Sequence, residues 1–99
     1  MITSKQRAYL RKEANGIDPV FRIGKGGVTD EVIRGIDDVL EARERIKVKI
    51  LETAMLDTKE TCNKLAQELS AEPVQAIGSK FVLYRRAQKE ENRAVKLPK

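Results

Sequence analysis

The chain has no histidine, no tryptophan, one cysteine, and only two phenylalanines and two tyrosines among its 99 residues. Without histidine the side chain that most often serves as general base and metal ligand is missing, which weakens most acid–base and nucleophile schemes. Cys62 alone can form no intramolecular disulfide and has no Cys/His companions for a metal cluster. It falls on an apolar helical stripe with Leu65, Ala66 and Leu69, so it reads as a small buried apolar group. No apolar run approaches the length of a membrane span. The opening residues, Met1-Ile2-Thr3-Ser4-Lys5-Gln6-Arg7, lack the apolar stretch of a signal peptide, so a cytoplasmic location is expected. Neither G-x-x-x-x-G-K-[ST] nor G-x-G-x-x-G occurs, and no acids cluster with a base to hold a metal and activate a nucleophile. A nucleotide-binding enzyme is therefore only an alternative, and no enzyme activity, cofactor or small-molecule substrate is expected.

What is present is charge, unevenly spread. The chain is 35% charged and 40% hydrophobic with a net charge of +5, the profile of one folded, highly charged domain. Residues 1–27 and 72–99 each carry +4, whereas residues 28–71 carry −3. Basic chain ends that converge in space build a surface attractive to polyanions. Within the first basic segment lies Gly24-Lys25-Gly26-Gly27, between the apolar run Val20 to Ile23 and a helical pattern opening at Thr29. Glycines let a backbone approach a phosphate closely, and Lys25 supplies charge there. The same tetrapeptide also suits an ordinary strand-to-helix turn.

The periodicities predict the remaining elements. Ser4 is the expected cap of a helix through Ala14, and Val20 to Ile23 reads as a strand after the connector Ile17-Asp18-Pro19. Val32, Ile33, Ile36, Val39 and Leu40 mark one face of a helix from the Thr29 cap to about Arg43, with Asp30 and Glu31 in its first turn. Those acids oppose a pyrophosphate docked squarely on the helix end. Ile46, Val48 and Ile50 alternate with Lys47 and Lys49 in a half-buried strand. Asp57-Thr58-Lys59-Glu60 opens a helix carrying Cys62, Leu65, Ala66 and Leu69, to about Ser70. Pro73 to Ile77 and Phe81 to Arg85 form a hairpin across a three-residue Gly78-Ser79-Lys80 connection. The expected fold is α/β: one compact domain in α-β-α-β-α-β-β order, a four-stranded mixed sheet with both long helices on one face. It spans residues 1–86, and residues 87–99 read as a charged, flexible tail.

Three motifs in order carry a family resemblance: Leu10-Arg11 and Pro19-Val20 leading to Ile23-Gly24-Lys25-Gly26-Gly27-Val28-Thr29; Glu41-Ala42-Arg43-Glu44-Arg45-Ile46-Lys47-Val48-Lys49-Ile50; and Val74-Gln75-Ala76-Ile77-Gly78 with Val82-Leu83-Tyr84-Arg85. Together they resemble the CRM domain (chloroplast RNA splicing and ribosome maturation) in its small bacterial YhbY-like form, from about Ser4 to Arg86. Many members have Leu where Arg45 stands and an Ala-His pair near Ala14-Asn15, so fine contacts can differ. The resemblance implies a fold similar to the C-terminal domain of translation initiation factor three, a GxxG loop acting like that of KH domains, and association with precursors of the large ribosomal subunit.

The expected protein is thus a monomeric RNA-binding protein that assists ribosome assembly, with ribosomal RNA as partner. Its candidate contacts are Gly24, Lys25, Gly26 and Gly27 with Arg22; Lys5, Arg7, Arg11 and Lys12 on the first helix; and Lys80, Arg85 and Arg86 on the hairpin. Lys47 and Lys49 rank below these. Phe21, Phe81 and Tyr84 sit in strand runs that favour packing over base stacking, leaving Tyr9 the freest aromatic. A second alternative is a protein-interaction module on ribosomal particles, using the acids Asp37, Asp38 and Glu41.

Overall fold

The computed structural model describes residues 2–93 and 95–98. Met1, Ala94 and Lys99, the last two in the expected tail, lie outside the described residues. Helix α1 spans Ser4–Ala14, α2 Asp30–Arg43 and α3 Thr58–Glu68; strands β1 Phe21–Ile23, β2 Arg45–Ile50, β3 Glu72–Ile77 and β4 Lys80–Tyr84 complete the α-β-α-β-α-β-β order. A 3-10 turn at Glu52–Ala54 follows β2.

Each helix starts on a side-chain cap that satisfies otherwise orphaned N–H groups. Thr29 Oγ1 accepts from the Val32 N–H at 3.3 Å and Asp57 Oδ2 from the Glu60 N–H at 2.8 Å. Thr3, not Ser4, caps α1. Its Oγ1 accepts from the Gln6 N–H at 3.1 Å while Gln6 Oε1 accepts from the Thr3 N–H at 2.9 Å, a reciprocal pair that Ser4, with Arg7 three residues downstream, has no acceptor to close.

The strands lie in the order β1-β2-β4-β3, with β1 parallel to β2 and β4 antiparallel to both its neighbours. Strands β2 and β3 therefore run parallel with β4 between them, the arrangement that a helical crossover from β2 to β3 demands. Alternation decides what each face buries. Ile23, Ile46, Val48, Ile50, Phe81 and Leu83 meet Ile36 and Leu40 of α2 and Cys62, Leu65 and Ala66 of α3 in the main core. On the opposite face Val74, Val82 and Tyr84 meet Leu10 and Ala14 of α1 in a second cluster.

Gly35 shows how closely α2 sits on the first strand: a Cβ there would come within 2.6 Å of the Phe21 ring. The hairpin is tighter than the sequence suggests. Ile77 pairs with Lys80, so the connection is the two residues Gly78-Ser79, with Gly78 at φ 61°, and Lys80 belongs to β4.

The expectation of a free tail beginning at residue 87 needs correction. Ala87 is buried, and its N–H donates to Glu44 Oε2 at 2.9 Å, while the Val95 N–H donates to Glu44 Oε1 at 3.0 Å. Farther along, Gln6 Nε2 donates to the Pro98 carbonyl at 2.9 Å, and Val95 and Leu97 pack against the second core. The physical reason is Glu44, which ends α2 in the left-handed region at φ 66° and is only 1% exposed. A buried carboxylate requires donors, and the backbone after Arg86 supplies them.

Candidate nucleic-acid interface

The glycine loop leaves the carboxyl end of β1 as a tight turn in which the Gly27 N–H donates to the Gly24 carbonyl at 2.9 Å. Lys25 and Gly26 form its exposed tip, and their own N–H groups make no hydrogen bond within the described residues. The fold needs glycine at Gly27, whose φ is 68°. It does not need glycine at Gly26, where a Cβ would meet nothing within 4 Å and φ is not left-handed. A residue kept bare without a demand from its own chain is suited to close approach by something else.

Beside this loop the open half of the sheet carries a transverse row of cations. Arg22 and Lys49 are register partners across β1 and β2, and Lys49 and Lys80 are partners across β2 and β4. All three alternate with core residues, so they project from the face that α1 shares. Helix α1 packs on β3 and β4 and meets β2 at Arg45 and Lys47, so the open part of this face is β1 and the Lys49 end of β2. No carboxylate pairs with Arg22, Lys25, Lys49 or Lys80 among the described residues. Like charges directly opposite one another destabilise a sheet, so the row has no explanation in folding.

Helix α1 extends the basic side unevenly. Lys47 Nζ donates to the Ala14 carbonyl at 3.2 Å, tying the end of α1 to β2. Arg11 and Lys12 occupy the exposed last turn of α1. A groove of about 370 Å³ lined by Asn15, Lys47, Gln75 and Lys80 connects that helix end with the hairpin. Lys5 is exposed a turn and a half earlier, and Arg7 Nε donates to the Pro73 carbonyl at 3.2 Å, which partly commits it to the edge strand.

Arg85 and Arg86 do not join the patch. They follow β4 at the end opposite Lys80. Arg85 is clamped between α2 and α3, its Nη1 donating to Asp37 Oδ1 at 2.6 Å and to the Leu69 carbonyl at 3.1 Å. That pairing joins residues 48 positions apart, so no local pattern announces it. Conversely, Lys49, ranked low from alternation alone, stands in the middle of the row. Strand register reveals this and sequence spacing does not.

The aromatics contribute little. Phe81 and Tyr84 are buried, Phe21 lies half-buried over Gly35, and the Tyr9 hydroxyl donates to Glu13 Oε1 at 3.3 Å. Burial, aided by the Glu44 carboxylate, raises the Tyr84 hydroxyl above its ordinary range and keeps it neutral. Burial pushes the Cys62 thiol up to about 11, which keeps it protonated at neutral pH. Of the α2 acids, Asp37 pairs with Arg85, and the Glu41 carboxylate accepts from the Gln88 and Lys89 N–H groups. Those backbone bonds hold the Glu41 carboxyl below its usual value.

Comparison with known proteins identifies the family. The CRS1/YhbY (CRM) domain model matches residues 2–85. The chain is 40% identical over 98 residues to YqeI of Bacillus subtilis, named as a probable RNA-binding protein, covering 99% of this chain and 100% of that one. It is 34% identical to a protein of Haemophilus influenzae named simply RNA-binding protein, covering 99% of this chain and 96% of the relative. Among solved structures, the solution structure of SAV1595 from Staphylococcus aureus, described as an RNA-binding candidate, superposes with a TM-score of 0.72 at 42% identity, covering 99% and 100% of the two chains.

Proposed function

Because the chain belongs to the CRS1/YhbY (CRM) domain family, we propose that it binds RNA, holding the sugar–phosphate backbone between the glycine loop and the cationic row of the open sheet. The single observation that carries this reading is the register Arg22–Lys49–Lys80 beside Lys25, four cations with no carboxylate partner among the described residues. Phosphates are the ligand that turns such a row from a liability into an affinity. Loop N–H groups and a lysine position a backbone without reading bases, so recognition is by shape and charge with weak sequence preference.

The finer reading is that the RNA is ribosomal, within precursors of the large subunit, and that the protein assists assembly as a cytoplasmic monomer. The family resemblance supports it. No helix among the described residues is long and apolar enough to cross a membrane. The relatives are named as RNA-binding proteins and not as enzymes, which favours a binding role. Docking through the acids of α2 is less favoured, because Asp37 and Glu41 are already engaged within the chain.

The test is the salt dependence of affinity for a ribosomal RNA fragment. With four cations on single-stranded phosphates, log affinity falls against log salt with a slope of about −3, shallower by about 0.7 for each cation removed. A slope unchanged in Lys25→Ala and Lys49→Ala would remove the loop and the row from the interface.

A further inference from the structure

At the same end of the sheet as the loop, Met55 is 91% exposed and stands in the left-handed region at φ 53°. Two disadvantages meet there: a large apolar side chain in water and a conformation strained for any residue with a Cβ. Neither returns anything to the fold, since Met55 belongs to no core cluster. Met55 lines a groove of about 610 Å³ together with Leu56, Gly78, Ser79 and Lys49. Ile50 and Leu51 also line it. Leu51 Cδ1 lies 3.6 Å from the position a Cβ would take on Gly24, so one lining residue of the groove packs against the start of the glycine loop.

We propose that this groove seats an unpaired RNA base whose flanking phosphates lie on Lys25 and Lys49, so that the protein selects single-stranded over double-stranded RNA. This rests on the reading that the loop and row hold RNA backbone. Apolar lining with Lys49 among it, next to a loop that carries Lys25, complements a nucleotide, which has an apolar face and an anionic flank. Glu52, Thr58 and Ser79 also line the groove, offering an acceptor and two hydroxyls to the polar edge of a base. A base stacked within a duplex cannot reach such a seat, whereas bases in loops and single strands are free to splay. Met is suited to the task because its polarisable thioether adapts to planar aromatic surfaces.

Two variants and two probes test this, using an unstructured uridine dodecamer and an RNA duplex of equal length. Met55→Gly removes the side chain and relieves the left-handed strain, so it folds with a melting temperature at or above that of the parent chain. It loses about tenfold in affinity for the single strand and nothing for the duplex. Lys25→Ala weakens both. Met55→Gly with unaltered single-strand affinity, or with equal losses on both probes, overturns the base seat. If in that case Lys25→Ala still weakens both, the backbone grip stands without the seat. If Lys25→Ala changes neither probe while Met55→Gly acts on the single strand alone, the seat stands and the grip by the loop fails.

Discussion

Lys49 of β2 faces Lys80 of β4 directly across the antiparallel ladder, and on its other side Lys49 is the register partner of Arg22. Each of these contacts places like charge beside like charge, at a cost of a few tenths of a kcal/mol or more per pair. A sheet selected for stability alone has every reason to replace one of them with an acid. That it carries three cations in a row supports the proposed binding role.

Replacing Lys49 by Glu separates the two. The substitution converts two repulsions into two attractions and is expected to stabilise the fold by about 0.5 kcal/mol. It also places a carboxylate in the middle of the phosphate track, so RNA affinity is expected to fall at least tenfold. Thermal unfolding and filter binding on one preparation read both effects. A variant with higher melting temperature and undiminished affinity would show that the row is not a contact.

The two glycines after Lys25 are expected to differ in kind. Gly27→Ala forces a Cβ into φ 68° and is expected to lose about 1 kcal/mol of stability. Gly26→Ala meets open space and is expected to leave the melting temperature unchanged while weakening RNA binding, because only the ligand requires that position to be bare. Chemical denaturation with parallel RNA titration distinguishes them.

The tail provides a pH test. Backbone N–H groups of Gln88 and Lys89 hold the Glu41 carboxyl below its ordinary value, so the folded group ionises at lower pH than the unfolded one. The stabilisation it gives the docked tail is fully present above the ordinary carboxylate range and is lost as pH falls through the depressed folded value. The Gln88 and Lys89 amides are expected to lose protection from hydrogen exchange on acidification, before the core amides do. In Glu41→Gln that loss should be present already at neutral pH.

How much of this was written in the sequence varies with distance along the chain. The caps at Thr29 and Asp57, the alternation of β2, the two core stripes of α2 and α3, and the exposed glycine loop are all local patterns, and each was legible. The cap of α1 was misplaced by one residue because Ser4 is itself a good cap, and only the Gln6 side chain closing on Thr3 decides between them. What could not be read is non-local. The Arg85 clamp on Asp37, the Glu44 anchor for Ala87 and Val95, and the alignment of Arg22, Lys49 and Lys80 all depend on register or packing between distant segments. The polar tail looked free because its partners are carboxylates on α2 and at its end, far away in sequence.

The most direct test of the interface is an NMR titration of the labelled protein with a short ribosomal RNA fragment, following the backbone amides. The expected result is that shifts concentrate on Arg22, Gly24 to Gly27, Lys49 and Lys80, with the exposed acidic side around Asp38 of α2 unmoved. Shifts centred on that acidic side, with the glycine loop and the cationic row silent, would contradict the assignment of the open sheet as the RNA-binding face.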